Sequence, residues 1–237
     1  MDVRRRTFKK EEKGCFIKYT TTNGGQITPK KTFSTTILSH SQVGDSWVIE
    51  FSESAKVPAS AFASCTTLKT LEISGITSFG NYSFEYCSNL TNVKLSGTLV
   101  DLGLASFNQC ISLLYINLPS SLSEIDQQAF YGCSSLQHVY MPNTIKTIGM
   151  YAFYGCSGLT SIEIPDSVTS ISRQAFYNCS NLTSIYCAPS SPPTGGENMF
   201  TGISSSCKIY VPASSVNAYK TATYWSDYSS KIVGYNF

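Results

Sequence analysis

Apolar residues recur along this chain with a period of 22 or 23, far longer than the period of a helix or a strand. Phenylalanine stands at Phe62, Phe84, Phe107, Phe130, Phe153 and Phe176. A cysteine follows each by three residues, at Cys65, Cys87, Cys110, Cys133, Cys156 and Cys179. A leucine follows three residues later again, at Leu68, Leu90, Leu113, Leu136, Leu159 and Leu182. Apolar pairs come next, as in Leu71/Ile73, Ile116/Leu118 and Ile162/Ile164. One unit reads A-F-Y-x-C-S-x-L-T-S-I-x-I-P-x-x-V-x-x-I-x-x-x.

The spacing extends past both ends of this core. Ile49 and Phe51 precede Phe62 as Leu71 and Ile73 precede Phe84, and Ile209 and Val211 follow Phe200 as Ile162 and Ile164 follow Phe153. About eight strand positions result. The segment L-x-x-I-x-I alternates, so Ile162 and Ile164 face one way and Ser161 and Glu163 the other. Pro119, Pro142 and Pro165 end such strands by withdrawing a backbone donor. The V-x-x-I-x-x-x-A-F segment spaces its apolar residues by three and four, which predicts short helical or 3-10 turns on the opposite side. One coil cannot bury its apolar edge alone. The pattern therefore predicts an α/β repeat solenoid, with strands paired into a parallel concave sheet at about 4.8 Å spacing.

The ends read differently. Asn23-Gly24 between alternating segments predicts a β-hairpin, so residues 15–45 are an N-terminal hairpin cap. The solenoid spans 46–211 and a C-terminal cap spans 212–237, with a short helix over Ala213–Lys220 and a closing strand at Ile232-Val233. Residues 188–198 form a Pro/Gly-rich loop, read as a detour before the cap. Residues 1–14 read as a flexible basic tail.

The A-F-x-x-C-x-x-L-x-x-I-x-I-P motif over about 46–211 resembles the BspA-like leucine-rich repeats, the 23-residue class of surface proteins in Bacteroides, Treponema and Trichomonas. The run Phe16–Pro29 is similar to the hairpin that precedes such repeats, and Val211–Trp225 with Lys231–Tyr235 to their C-terminal cap. The resemblance implies a right-handed leucine-rich-repeat stack. It also implies an exported or surface adhesin-type protein that binds host or microbial partners. A phage- or virion-associated location is the alternative, since similar modules occur in phage-associated reading frames.

Composition narrows the chemistry. The net charge is +2, and residues 1–13 alone hold six basic and three acidic side chains. The remainder carries 11 basic and 12 acidic groups, which gives no footprint for nucleic acid or anionic lipid. No apolar run reaches the 18 residues a membrane helix needs, and no secretory h-region is visible at the N-terminus. Nine cysteines are an odd number. Six of them recur once per coil, so each is read as a buried free thiol that meets a loop carbonyl. Zinc would need clustered ligands, and these are one coil apart without histidine. No cofactor is expected. His40 and His138 are the only histidines, and the turn Gly155-Cys156-Ser157-Gly158 is a repeat element, not a nucleophile elbow. Glu72 and Glu163 lie four coils apart, too far for paired glycosidase carboxylates.

What varies from coil to coil is the outward strand face. One column runs Val48, Thr70, Asn92, Tyr115, His138, Ser161, Ser184, Lys208. The other runs Glu50, Glu72, Lys94, Asn117, Tyr140, Glu163, Tyr186, Tyr210. Tyr115, Asn117, His138, Tyr140, Glu163, Tyr186 and Tyr210 are the candidate binding residues, because tyrosine offers contact area at low entropic cost. The expectation is a non-catalytic, monomeric module whose concave face meets a protein or carbohydrate at a host or microbial surface. A spacer within a surface or phage assembly is the alternative.

Overall fold

A computed structural model describes residues 14–237; the basic residues before Gly14 lie outside it. The strands stack in parallel, coil upon coil, into a leucine-rich-repeat solenoid. Leu68–Ser74, Asn92–Lys94, Tyr115–Asn117 and His138–Tyr140 pair side by side. Ser161–Ile164, Ser184–Cys187, Lys208–Pro212 and Ile232–Tyr235 form a second parallel set. Equivalent residues stand opposite one another: Leu71 faces Val93, His138 faces Tyr115, and Tyr186 lies between Glu163 and Tyr210. The sheet parts between His138–Tyr140 and Ser161–Ile164, which belong to separate ladders. At this seam Val139 is only partly buried, whereas its counterparts Ile116 and Ile162 are 0% and 2% exposed.

The interior is a set of columns. The rings of Phe62, Phe84, Phe107, Phe130, Phe153, Phe176 and Phe200 stack in sequence, with centroids 5.2–5.7 Å apart. Each thiol from Cys87 to Cys179 donates to the phenylalanine carbonyl of the preceding coil, as Cys133 Sγ does to Phe107 O at 3.1 Å. Cys65 has no such coil before it; it is half-exposed and contacts Thr67 Oγ1 at 3.7 Å. The uniform burial expected of the column therefore fails at its first member. All nine cysteines are free.

The expected helical turns opposite the sheet are not there. The V-x-x-I-type segments instead form a second ladder of two-residue strands, Glu124–Ile125, Thr147–Ile148 and Ser170–Ile171, which Thr194–Gly195 of the Pro/Gly-rich loop extends. The A-F-x-x-C segments are successive turns, with left-handed residues such as Gln128 at φ +57° and Gly132 at +67°. Their donors alternate in direction. Tyr131 and Cys133 bond within the coil, to Gln128 O and Phe130 O. Phe130 and Gly132 donate to Ala152 O and Tyr154 O of the next coil. A helix would keep every one of these N–H groups inside its own coil, so stacking wins over helical closure.

The N-terminal cap departs from the sequence reading. Asn23-Gly24 does turn the chain, with Gly24 N at 3.5 Å from Thr21 O, but no paired strand follows. The hairpin joins Ile37–Val43 to Ser46–Phe51 through Gly44, at φ +61°, and Asp45. The strand Cys15–Thr21 then inserts, antiparallel to both neighbours, between Ser46–Phe51 and Leu68–Ser74. Ser46–Phe51 is thus a cap strand one position removed from the parallel stack, and Lys18 separates Val48 from Glu72. The reason is lateral pairing. Tyr19 is buried with its hydroxyl bonded to the Ile27 backbone and 2.7 Å from His40 Nε2, which pins the first strand inside the sheet. The opposite end is closed by the helix Val216–Thr221 and the strand Ile232–Tyr235. Tyr228 Oη accepts the Phe200 N–H at 3.1 Å, the bond that a further coil would otherwise supply. The 188–198 loop is held against this cap, because Tyr219 Oη and Trp225 Nε1 donate to Pro189 O and Pro193 O.

Candidate functional site

The outward strand positions form the concave face, and its two halves differ. In the N-terminal half the polar side chains bond one another. Lys94 pairs with Glu72, Asn92 Nδ2 donates to Tyr115 Oη at 2.9 Å, and the Thr20 and Thr70 hydroxyls meet at 2.7 Å. Tyr115 and Asn117 line a shallow depression of about 380 Å³ there. His138 is exposed beside Tyr115.

In the C-terminal half a groove of about 1110 Å³ runs along the face, over the seam in the sheet. Tyr140, Glu163 and Tyr186 line it. Tyr140 is 62% exposed. Tyr210 stacks behind Tyr186 with ring centroids 4.8 Å apart and planes 14° from parallel. The expected residues therefore form a continuous run along the face. Tyr115 and Asn117 line the depression, and His138 and Tyr140 stand opposite them on the next strand. Asn117 and Tyr140 line a further hollow of about 590 Å³, Glu163 and Tyr186 continue the groove, and Tyr210 supports Tyr186 from behind.

Several groove residues escaped the sequence reading. Tyr235 packs edge-on against both Tyr186 and Tyr210, and Phe237 packs on Tyr235. The signal was present, since alternation in Ile232–Tyr235 puts Tyr235 on the same face as Val233, opposite Tyr210. Asn143 and Asp166, the residues after the repeat prolines, form part of the rim.

The sequence matches the BspA type leucine rich repeat region in six copies, over residues 26–137, 55–183 and 123–232. The chain belongs to that family. The crystal structure of the T. pallidum leucine rich repeat protein matches with a TM-score of 0.60 and 31% identity, covering 62% of this chain and 69% of that one. A leucine rich cell surface protein from Faecalibacterium prausnitzii matches with a TM-score of 0.43 and 19% identity over 66% of this chain, which spans 57% of that protein. A leucine-rich repeat protein from Bacteroides ovatus gives 0.40 and 18%, over 88% of this chain and 75% of that one. No curated protein matches the chain.

The BspA-type repeats support a binding or structural role, and repeat proteins of this kind are in general not catalysts. Among the described residues no cluster of three or more His, Cys, Asp or Glu could hold a metal ion, and no helix is long and apolar enough to cross a membrane. Cys156, in the turn that superficially suggests a nucleophile, is buried and spends its proton on Phe130 O. Burial, with Cys133 and Cys179 nearby, pushes its pKa well above the ordinary thiol value, which is the opposite of activation.

Proposed function

We propose that this BspA-type repeat domain is a non-catalytic binding module of the cell surface, and that its concave face meets a protein or carbohydrate partner. One observation carries the reading. The outward strand side chains differ from coil to coil on one open face, and in its C-terminal half the exposed Tyr140 and Glu163 spend nothing on neighbouring side chains. Aromatic groups in such a setting give contact area at low entropic cost. The family and the sparsely charged composition support a surface location.

Protein and glycan arrays probed with the intact domain test this directly. A partner found there should lose its binding when Tyr115, His138, Tyr140 and Tyr186 are together replaced by serine, with little change in melting temperature. Undiminished binding by that variant would place the contact on another face.

A further inference from the structure

The groove has a charge character that the rest of the face lacks. Its lining includes two carboxylates, Glu163 and Asp166, and no lysine, arginine or histidine. Among the described residues the ion pairs are Lys94–Glu72 and Arg173–Glu197, so neither groove carboxylate is neutralised. Around them stand four rings, Tyr140, Tyr186, Tyr235 and Phe237. Unpaired carboxylates beside aromatic faces attract a cation through two additive effects, Coulomb attraction and the ring quadrupole.

The spacing suits one cationic group. Coils at this level are 5.4 and 5.2 Å apart at their phenylalanine rings, from Phe130 to Phe153 to Phe176. Tyr140 and Tyr186 are two coils apart, hence about 10 Å, with Glu163 between them. Tyr210 covers one face of Tyr186, and the other face is turned towards the Glu163 strand. A cation midway would lie within the roughly 6 Å at which a ring centroid holds it, from both tyrosines at once. A neutral sugar would stack on the same rings and offer the carboxylates hydroxyl donors, but it brings no opposite charge, whereas a cation gains both the Coulomb attraction and a charge-assisted hydrogen bond.

We infer that the groove binds a basic peptide segment of a protein partner, with an arginine or lysine side chain seated between Tyr140 and Tyr186 over Glu163. This rests on the concave-face reading above and adds the chemistry of the partner. A flat guanidinium suits the slot best, because it stacks on rings and bonds a carboxylate in its own plane.

The test titrates the full chain with an end-blocked pentapeptide bearing two arginines, against the same peptide with citrulline, which keeps the shape and loses the charge. The arginine peptide should bind saturably, and the citrulline peptide about tenfold more weakly or worse. Glu163→Gln with Asp166→Asn should weaken the arginine peptide by a similar factor, whereas Glu72→Gln, in the other half of the face, should not. Equal binding of the two peptides, or no saturable binding of either, would overturn the inference. So would tight binding of a neutral oligosaccharide such as maltohexaose that survives the double substitution. The serine variant of the four concave residues separates the two levels. If the native protein binds the two peptides equally and this variant loses both, only the charge assignment falls; if the variant keeps the arginine peptide, the concave face itself is the wrong surface.

Discussion

The turn side and the concave side of each coil come from the same repeat and end in opposite states. On the turn side the phenylalanine N–H, its carbonyl and the following thiol are all bonded, and each makes a bond that crosses to a neighbouring coil. The backbone there is satisfied, while side chains such as Tyr82, Tyr86 and the stacked Tyr131, Tyr154 and Tyr177 reach the surface. On the concave side the two inward residues of each strand are fixed by burial and the outward ones are free to differ. Strand alternation therefore separates the side chains that hold the stack from those left on its open face, within three or four residues of sequence. Within the concave face the contrast repeats on a smaller scale, since Lys94–Glu72 and Asn92–Tyr115 satisfy one another while Tyr140 and Glu163 do not.

Substitutions should reveal that division by their size. Phe130→Ala removes a fully buried ring stacked between Phe107 and Phe153 and should cost about 3–5 kcal/mol in urea unfolding; Leu136→Ala, also fully buried, should cost about 2–5. A much smaller loss would mean that the interior is not packed as described. Next comes Asp126. Burial first, then Asp101 and Glu124, push its carboxyl from 3.8 up to about 6. The folded state then binds more protons than the unfolded one between those values, so stability falls as pH rises from about 4 to about 6. Asp126→Asn should raise stability at pH 7 by about 1–2 kcal/mol, allowing for partial exposure, and the two proteins should converge below pH 4. Parallel melting curves across that range would refute the assignment. Tyr228→Phe leaves the Phe200 N–H without its partner at the end of the stack and should cost about 1–2 kcal/mol, read in the same unfolding experiment. On the concave side Lys94→Ala breaks an exposed ion pair and should change stability by less than about 0.5 kcal/mol.

The repeat was readable in the sequence because its constraints are local and reiterated. Phe, Cys and Leu at fixed offsets admit one stacked arrangement, and Tyr115 beside His138 followed from it directly. The cap was not, because sheet order is a non-local choice. Asn23-Gly24 is a strong turn signal, yet nothing near it reveals that Ser46–Phe51 rather than the following residues will lie alongside Cys15–Thr21. The turn side was misread for a different reason. Spacings of three and four describe which residues face inward but not where the N–H groups go, and here every second one leaves its coil. Half of the groove was legible as the column Tyr140, Glu163, Tyr186; Tyr235 and Phe237 required one more strand to be counted.

Thiol accessibility tests the division between a closed stack and an open face most directly. Seven cysteines are buried, Cys87, Cys110, Cys133, Cys156, Cys179, Cys187 and Cys207, and burial lifts the Cys133 thiol, for one, to about 12. Cys15 and Cys65 are half-exposed. A disulfide reagent added to the native protein should titrate Cys65 first and Cys15, whose thiol burial pushes up, more slowly, and the other seven only on unfolding. Rapid labelling of Cys110, Cys133 or Cys156 under native conditions would contradict the stacked interior on which everything else rests.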